Sequence, residues 1–395
     1  MIVTNISEIY GTGLRNAWLR TDEVSGRIVS CGEMRNFPQP GVCEQLVDAE
    51  RGMVLPSFCD SHTHIVYAGT RDGEFLDKIN GLSYEEIAAR GGGILNSADL
   101  LHNTSEADLF VQSMQRADEV MATGTGCIEI KSGYGLTLDD ELKMLRVIAL
   151  IAEASPMHVR ATFLGAHAVG RAFAGRQDDY VNHIINDMLP AVAAEGLADF
   201  VDVFCDEGFF TVEQTDRILT AAAGYGIRPK IHANELAVSG GVEVGIAHKA
   251  LSVDHLERAE EPQIAMLAKS DTIATMLPGA SFFLGMPYAK ARRAIDAGCT
   301  VALASDYNPG SSPSGDMRFV WSLGCIKMRL TPEEALDAIT INGARAMGCD
   351  DEYGSIAPGK VANFIITKPV PSLAHVPYAH HTPFIASLYL NGKKV

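Results

Sequence analysis

Val54-Leu55-Pro56-Ser57-Phe58-Cys59-Asp60-Ser61-His62-Thr63-His64 is an apolar run that closes on two histidines one residue apart. Side chains along a strand alternate between two faces, so a strand here points His62 and His64 the same way. Two imidazoles at one strand end can grip one metal ion. A pair of surface loop histidines would carry the same letters, and the rest of the chain has to decide between the two.

Downstream, apolar runs rich in β-branched residues recur at 127–132, 159–167, 200–207, 228–235, 251–257, 271–278 and 299–306, each ending in polar or ionisable side chains. With 53–64 they make eight. The intervening 139–154, 180–194, 211–223 and 289–297 place apolar residues at three- and four-residue intervals and read as amphipathic helices. Eight strands alternating with helices predict an α/β fold, a TIM-like (β/α)8 barrel, whose active sites lie at the C-terminal strand ends. The polar residues sit at those ends: His62 and His64, Lys131 with Tyr134, His167, Asp206 with Glu207, His232 with Glu235, His255, and Asp306. A lone histidine is usually a core residue satisfied by hydrogen bonds. Several around one barrel mouth, with an aspartate, suit zinc or iron with a position left for water.

The 395-residue chain exceeds a barrel of about 250 residues. Short apolar segments separated by turns occupy residues 1–50 and recur at 359–367 and 385–395, so both termini are expected to pair into one small module. We therefore expect a small β-sandwich domain from 1–52 with 352–395, flanking a barrel over 53–351. The interval from His64 to Cys127 holds Arg71, the triplet Gly91-Gly92-Gly93 and helical stretches at 84–90 and 108–123. The triplet lacks the spacing of a phosphate-binding loop and reads as a lid or a close backbone approach.

Composition narrows the function. Hydrophobic residues at 47% and charged residues at 21% fit a globular chain with a large core, and no apolar run approaches the roughly 20 residues of a membrane span. Residues 1–5 lack the basic-then-apolar layout of a signal peptide, which predicts a cytosolic protein. The eight cysteines form no C-x-x-C pair and read as reduced core residues. A formal charge of −17 without a Lys/Arg cluster excludes nucleic acid as a partner, and an anionic substrate needs a local positive site.

His62-Thr63-His64, Lys131-Ser132-Gly133-Tyr134-Gly135-Leu136, Leu164-Gly165-Ala166-His167, Ile231-His232-Ala233-Asn234-Glu235, Asp254-His255-Leu256, Thr275-Met276-Leu277-Pro278-Gly279 and Ala304-Ser305-Asp306-Tyr307-Asn308-Pro309-Gly310-Ser311 resemble the motifs of the amidohydrolase superfamily. The resemblance covers nearly the whole chain. His-x-His with a late Asp is specific only to the superfamily. The Lys-Ser-Gly-Tyr-Gly-Leu and Asp-x-Asn-Pro-Gly-Ser runs resemble those of members that open an imidazolone ring in histidine degradation. Asn234 departs from the Asp more usual there, beside a ligand position.

The resemblance implies a metal-dependent hydrolase barrel acting on a small anionic imidazolone, 4-imidazolone-5-propanoate, to give N-formimidoyl-L-glutamate. Another cyclic amidase or an aromatic deaminase is the alternative. It implies one divalent or trivalent ion, Zn or Fe, on His62, His64, His232 and Asp306. Glu235 is the implied proton carrier, and His255 hydrogen-bonds the attacking water. In the competing reading His255 joins a second metal bridged near Glu207. Tyr134 and His167 contact the substrate, with His167 polarising the ring carbonyl. Arg71, Asn308, Gly310 and Ser311 hold the ring and propionate, and a homodimer is the implied assembly.

Overall fold

The computed structural model describes residues 1–82, 92–380 and 382–395. The expected helix at 84–90 and Gly91 of the glycine triplet lie outside the described residues. Strands from both termini pair into one sheet: β1 (Ile2–Ile9), β2 (Leu14–Asp22), β3 (Arg27–Glu33), β4 (Leu46–Asp48), β5 (Val54–Pro56), β15 (Phe364–Thr367), β16 (Ile385–Leu390) and β17 (Lys393–Lys394). Its path runs β17-β16-β15-β5-β1-β2-β3, with β4 parallel to β1. Ile6, Ile9, Leu19, Val54 and Phe364 fill its core.

The barrel strands are β6 (Phe58–Thr63), β7 (Thr125–Lys131), β8 (His158–Ala166), β9 (Phe200–Cys205), β11 (Ile231–Ala233), β12 (Ser252–His255), β13 (Ile273–Met276) and β14 (Val301–Leu303); a short β10 (Arg228–Pro229) precedes β11. All eight are parallel in sequence order. The sequence reading placed 53–64 in one barrel strand, but the chain changes sheets inside it. Leu55 pairs with Ile365 in the terminal sheet, the Ser57 amide donates to Asn363, and the Phe58 amide donates to Gly124 at the start of β7.

The expected helices form at Leu138–Ala154, Val212–Ala223 and Ala291–Asp296, and the 180–194 reading falls on Gln177–His183, a π turn at Ile184–Met188 and Leu189–Glu195. The 108–123 reading is the helix Glu106–Ala122. Alternation in the strands sets the layers. Ile128, Ile130, Val201, Val203, Ile231 and Val253 join the core shared with helix residues such as Leu145, Ile148 and Ile218, while the intervening Glu129, Lys131, Asp202, Lys230 and Asp254 contact one another inside the barrel.

Closure of the barrel builds the site. The Asp306 amide donates to His62 O at 3.0 Å and the His64 amide to Tyr307 O at 2.9 Å, so the chain after β14 docks on the histidine-bearing end of β6. Among the described residues no helix is long and apolar enough to cross a membrane.

Candidate metal centre and active site

The two histidines that open the argument point together: His62 Nε2 and His64 Nε2 approach to 3.2 Å, and each lies 3.6 Å from Asp306 Oδ1. His62, His64 and His232 offer ring nitrogens within 4.8 Å of one another, and His62, His255 and Asp306 form an overlapping group by the same measure. All five side chains are buried.

Two buried carboxylates fix the ring orientations. His62 Nδ1–H donates to Asp254 at 2.7 Å, and His232 Nδ1–H donates to Asp202 at 2.9 Å. Each imidazole thus turns its Nε2 lone pair toward the shared centre, the arrangement in which histidine ligates metal. Burial pushes the pKa values of His62, His64 and His232 below the ordinary imidazole value, so the rings are neutral and their lone pairs free. Burial also raises Asp306 to about 7, as a carboxylate enclosed without a full counter-charge must be. Converging neutral imidazoles and one strained carboxylate are a donor set that fits a zinc or iron ion.

Beneath them lies a charge network that the sequence reading did not find. Lys131 Nζ donates to Glu129 at 2.6 Å and sits 2.9 Å from Asp202 and 3.7 Å from Asp254. Lys230 Nζ donates to Glu129 and to Ser61 O. All five side chains are fully buried. Lys131 therefore bridges the two carboxylates that orient His62 and His232, which explains its place at the buried end of this strand. The signal was present as ionisable residues at period two: Asp60-x-His62-x-His64, Glu129-x-Lys131, Lys230-x-His232.

Glu235 and His255 stand together, Oε2 to Nε2 3.6 Å, with Glu257 3.5 Å from the other nitrogen of His255. Burial raises the Glu235 carboxyl. Burial alone would lower His255, but Glu235 and Glu257 outweigh it and hold the imidazole well above its ordinary value. Asp206 organises the loop that carries Glu235, accepting from the backbone amides of Glu235, Leu236 and Ala237 at 2.8, 2.9 and 3.1 Å. Glu207 is exposed, and among the described residues it belongs neither to the cavity lining nor to the two groups that could hold an ion.

The loop after β7 is moulded by Glu141, which accepts from the amides of Gly133, Gly135 and Leu136 at 3.1, 2.8 and 2.9 Å. This sets Tyr134 beside His64 and His167, with ring centroids 6.1 and 5.4 Å apart. Gly133 (φ 108°) passes so close that a Cβ there would lie 2.9 Å from His167 Nδ1. His167 stacks on His64 at 5.4 Å and donates Nδ1–H to Gly133 O at 3.0 Å. Burial lowers His167 to about 3, so the ring is neutral and Nε2 is an acceptor. In that tautomer Nε2 presents a lone pair that suits a ligand N–H.

One cavity of about 510 Å³ is lined by His64, Arg71, Tyr134, His167, His232, Glu235, His255, Asp306, Asn308, Gly310 and Ser311; His62 lies under its floor. Asn308 Oδ1 accepts from the Gly310 and Ser311 amides, each at 2.8 Å, and its Nδ2 donates to Asp306 O. Ser311 Oγ donates to Asp306 Oδ2 at 3.1 Å. These two side chains thus shape the loop that presents Asp306. At the far end Arg71 pairs with Glu74 at 2.6 Å, and Glu74 accepts from the Gly93 amide at 2.9 Å.

Residues 53–395 match the model of the amidohydrolase family. The chain is 52% identical to the imidazolonepropionase of Christiangramia forsetii, over 97% of this chain and 92% of that protein. It is 49% identical to the imidazolonepropionase of Flavobacterium johnsoniae, over 99% and 96%. In fold it is similar to the 5-methylcytosine deaminase of Klebsiella pneumoniae liganded with phosphonocytosine, with a TM-score of 0.79 at 16% identity, covering 100% of this chain and 98% of that one. From the family match and the full-length identity, with the converging strand-end donors in keeping, the chain belongs to the amidohydrolase family, in its imidazolonepropionase group.

Proposed function

We propose that this chain hydrolyses the cyclic amide C–N bond of 4-imidazolone-5-propanoate to N-formimidoyl-L-glutamate, with one Zn or Fe ion held by His62, His64, His232 and Asp306. The supporting observation is the meeting, in one cavity, of that donor set, the Glu235–His255 pair and a cationic far end. A bound ion supplies Lewis-acid activation of water and carbonyl. Glu235 takes a proton from the attacking water as its oxygen bonds to the ring carbonyl carbon, and returns a proton to the ring nitrogen as the C–N bond breaks. His255, between Glu235 and Glu257, orients that water and holds charge beside the carboxylate. His167 Nε2 accepts from a ring N–H, and the Tyr134 hydroxyl, which burial keeps protonated, is a donor facing the same ligand. Arg71 takes the propionate, with the Asn308–Ser311 turn closing over it. In this reading 53–351 carries the chemistry and 1–52 with 352–395 buttresses it, with β5 shared into the terminal sheet.

The test is a spectrophotometric assay on freshly prepared 4-imidazolone-5-propanoate together with elemental analysis. Turnover with close to one equivalent of Zn or Fe supports the reading. Two equivalents, both needed, would overturn the single-ion site. Deamination of an aromatic amine without imidazolone hydrolysis would move the chain to the deaminase alternative.

A further inference from the structure

The cation that faces the propionate is not free. Arg71 Nη2 lies 2.6 Å from Glu74 Oε2, so guanidinium and carboxylate together carry no net charge. In a chain of formal charge −17, a neutral pair is a weak attractant for an anion. Arg71 nevertheless keeps an unused donor: its Nε is buried with no hydrogen-bond partner among the described residues.

Lys78 supplies what the pair lacks. Arg71 caps the helix Asp72–Ile79, and Lys78 lies in its last turn. Its Nζ donates to Gly310 O at 3.2 Å and stands 5.5 Å from the centroid of the Phe283 ring, and its ammonium has no carboxylate in salt-bridge range among the described residues. Arg71 reaches the same glycine from the other side, where a Cβ on Gly310 would lie 2.3 Å from Nη1. Arg71, Lys78, Phe283 and Gly310 form the partition between the 510 Å³ cavity and a second of about 470 Å³. Burial first, and then Arg71, lower the Lys78 pKa, and Glu74 partly offsets them.

We propose that Lys78 is a second carboxylate-binding residue of this pocket, taking one oxygen of the ligand's terminal carboxylate while Arg71 takes the other across Gly310. This rests on the reading that the substrate is an anionic imidazolone, and it makes Lys78 a specificity residue for the anionic tail. Lys78 restores the positive charge that Glu74 cancels, so a ligand carboxylate between the two cations meets a net positive site, and the preference for a tail-bearing ring over the bare ring follows.

The experiment titrates metal-loaded wild type, Lys78→Met and Lys78→Arg calorimetrically with imidazole-4-propanoate and with 4-methylimidazole. Lys78→Met should weaken the propanoate about tenfold or more, the order of one charge-assisted hydrogen bond, and leave 4-methylimidazole unchanged. Lys78→Arg should recover most of the loss. Equal affinities of wild type and Lys78→Met for the propanoate, or equal losses on both probes, overturn the proposal. Turnover of 4-imidazolone-5-propanoate by wild type is measured alongside. A wild type that binds the propanoate through Lys78 without hydrolysing the imidazolone overturns the reaction and upholds the carboxylate site.

Discussion

Replacing Gly310 by alanine tests the tail-binding end of the pocket through the placing of Arg71. A Cβ at 310 would lie 2.3 Å from Arg71 Nη1 and 2.8 Å from Cζ, roughly 1 Å inside ordinary van der Waals contact. The backbone at 310 is not in the left-handed region, so alanine adopts it without strain. The obstructing atoms are the far end of an arginine, which can swing away. The fold should therefore tolerate the change and Tm should hold. The guanidinium must leave its place against Glu74 and the cavity, and a displacement of about 1 Å in a substrate clamp costs up to about 10²-fold. We expect kcat/KM on 4-imidazolone-5-propanoate to fall about 10- to 100-fold, or about 1.4 to 2.7 kcal/mol of transition-state binding. Steady-state kinetics on Gly310→Ala, Arg71→Ala and the double variant give the decisive comparison. If Gly310 acts by placing Arg71, the double variant loses little more than Arg71→Ala alone. Fully additive losses, or an unchanged kcat/KM in Gly310→Ala, would refute the reasoning.

Three further outcomes follow from the geometry. Glu235→Gln keeps the shape of the proton carrier but removes its basicity, so kcat should drop about 10²-fold or more with metal content intact; near wild-type turnover would shift the role to His255. Lys131→Met unties Asp202 from Asp254, so metal affinity measured by chelator competition should fall about 10- to 100-fold, the usual cost of losing a group that orients ligands. Unchanged affinity would show that the two carboxylates hold their histidines unaided. Far from the site, Arg20 holds the Glu44 carboxyl down to about 2 from 4.5. Glu44 therefore contributes stability that is complete above 4.5 and lost as the pH falls toward 2, and Glu44→Gln should flatten the acid limb of urea midpoints in that window.

The strands, most of the helices and the His-x-His signature were legible in the sequence because they are written in local pattern: alternation of two in β7 and β12, three- and four-residue spacing in Leu138–Ala154, and a polar residue wherever a strand ends. The candidate ligand residues come together because a parallel barrel gathers strand ends at one mouth. The hidden part depends on contacts between residues far apart in the chain. Nothing near Val54–Pro56 announces that this piece pairs with β15, because an apolar strand fits either sheet. Asp254 and Asp202 look like stray charges until closure sets them on His62 and His232. The neutral acceptor face of His167 is decided by one carbonyl, that of Gly133, and the charge on Arg71 is cancelled by Glu74 three residues on. Sequence supplied the reactive groups and the order in which the barrel presents them. Their protonation, tautomer and net charge were settled only when burial removed water and left each group to the partners the fold put beside it.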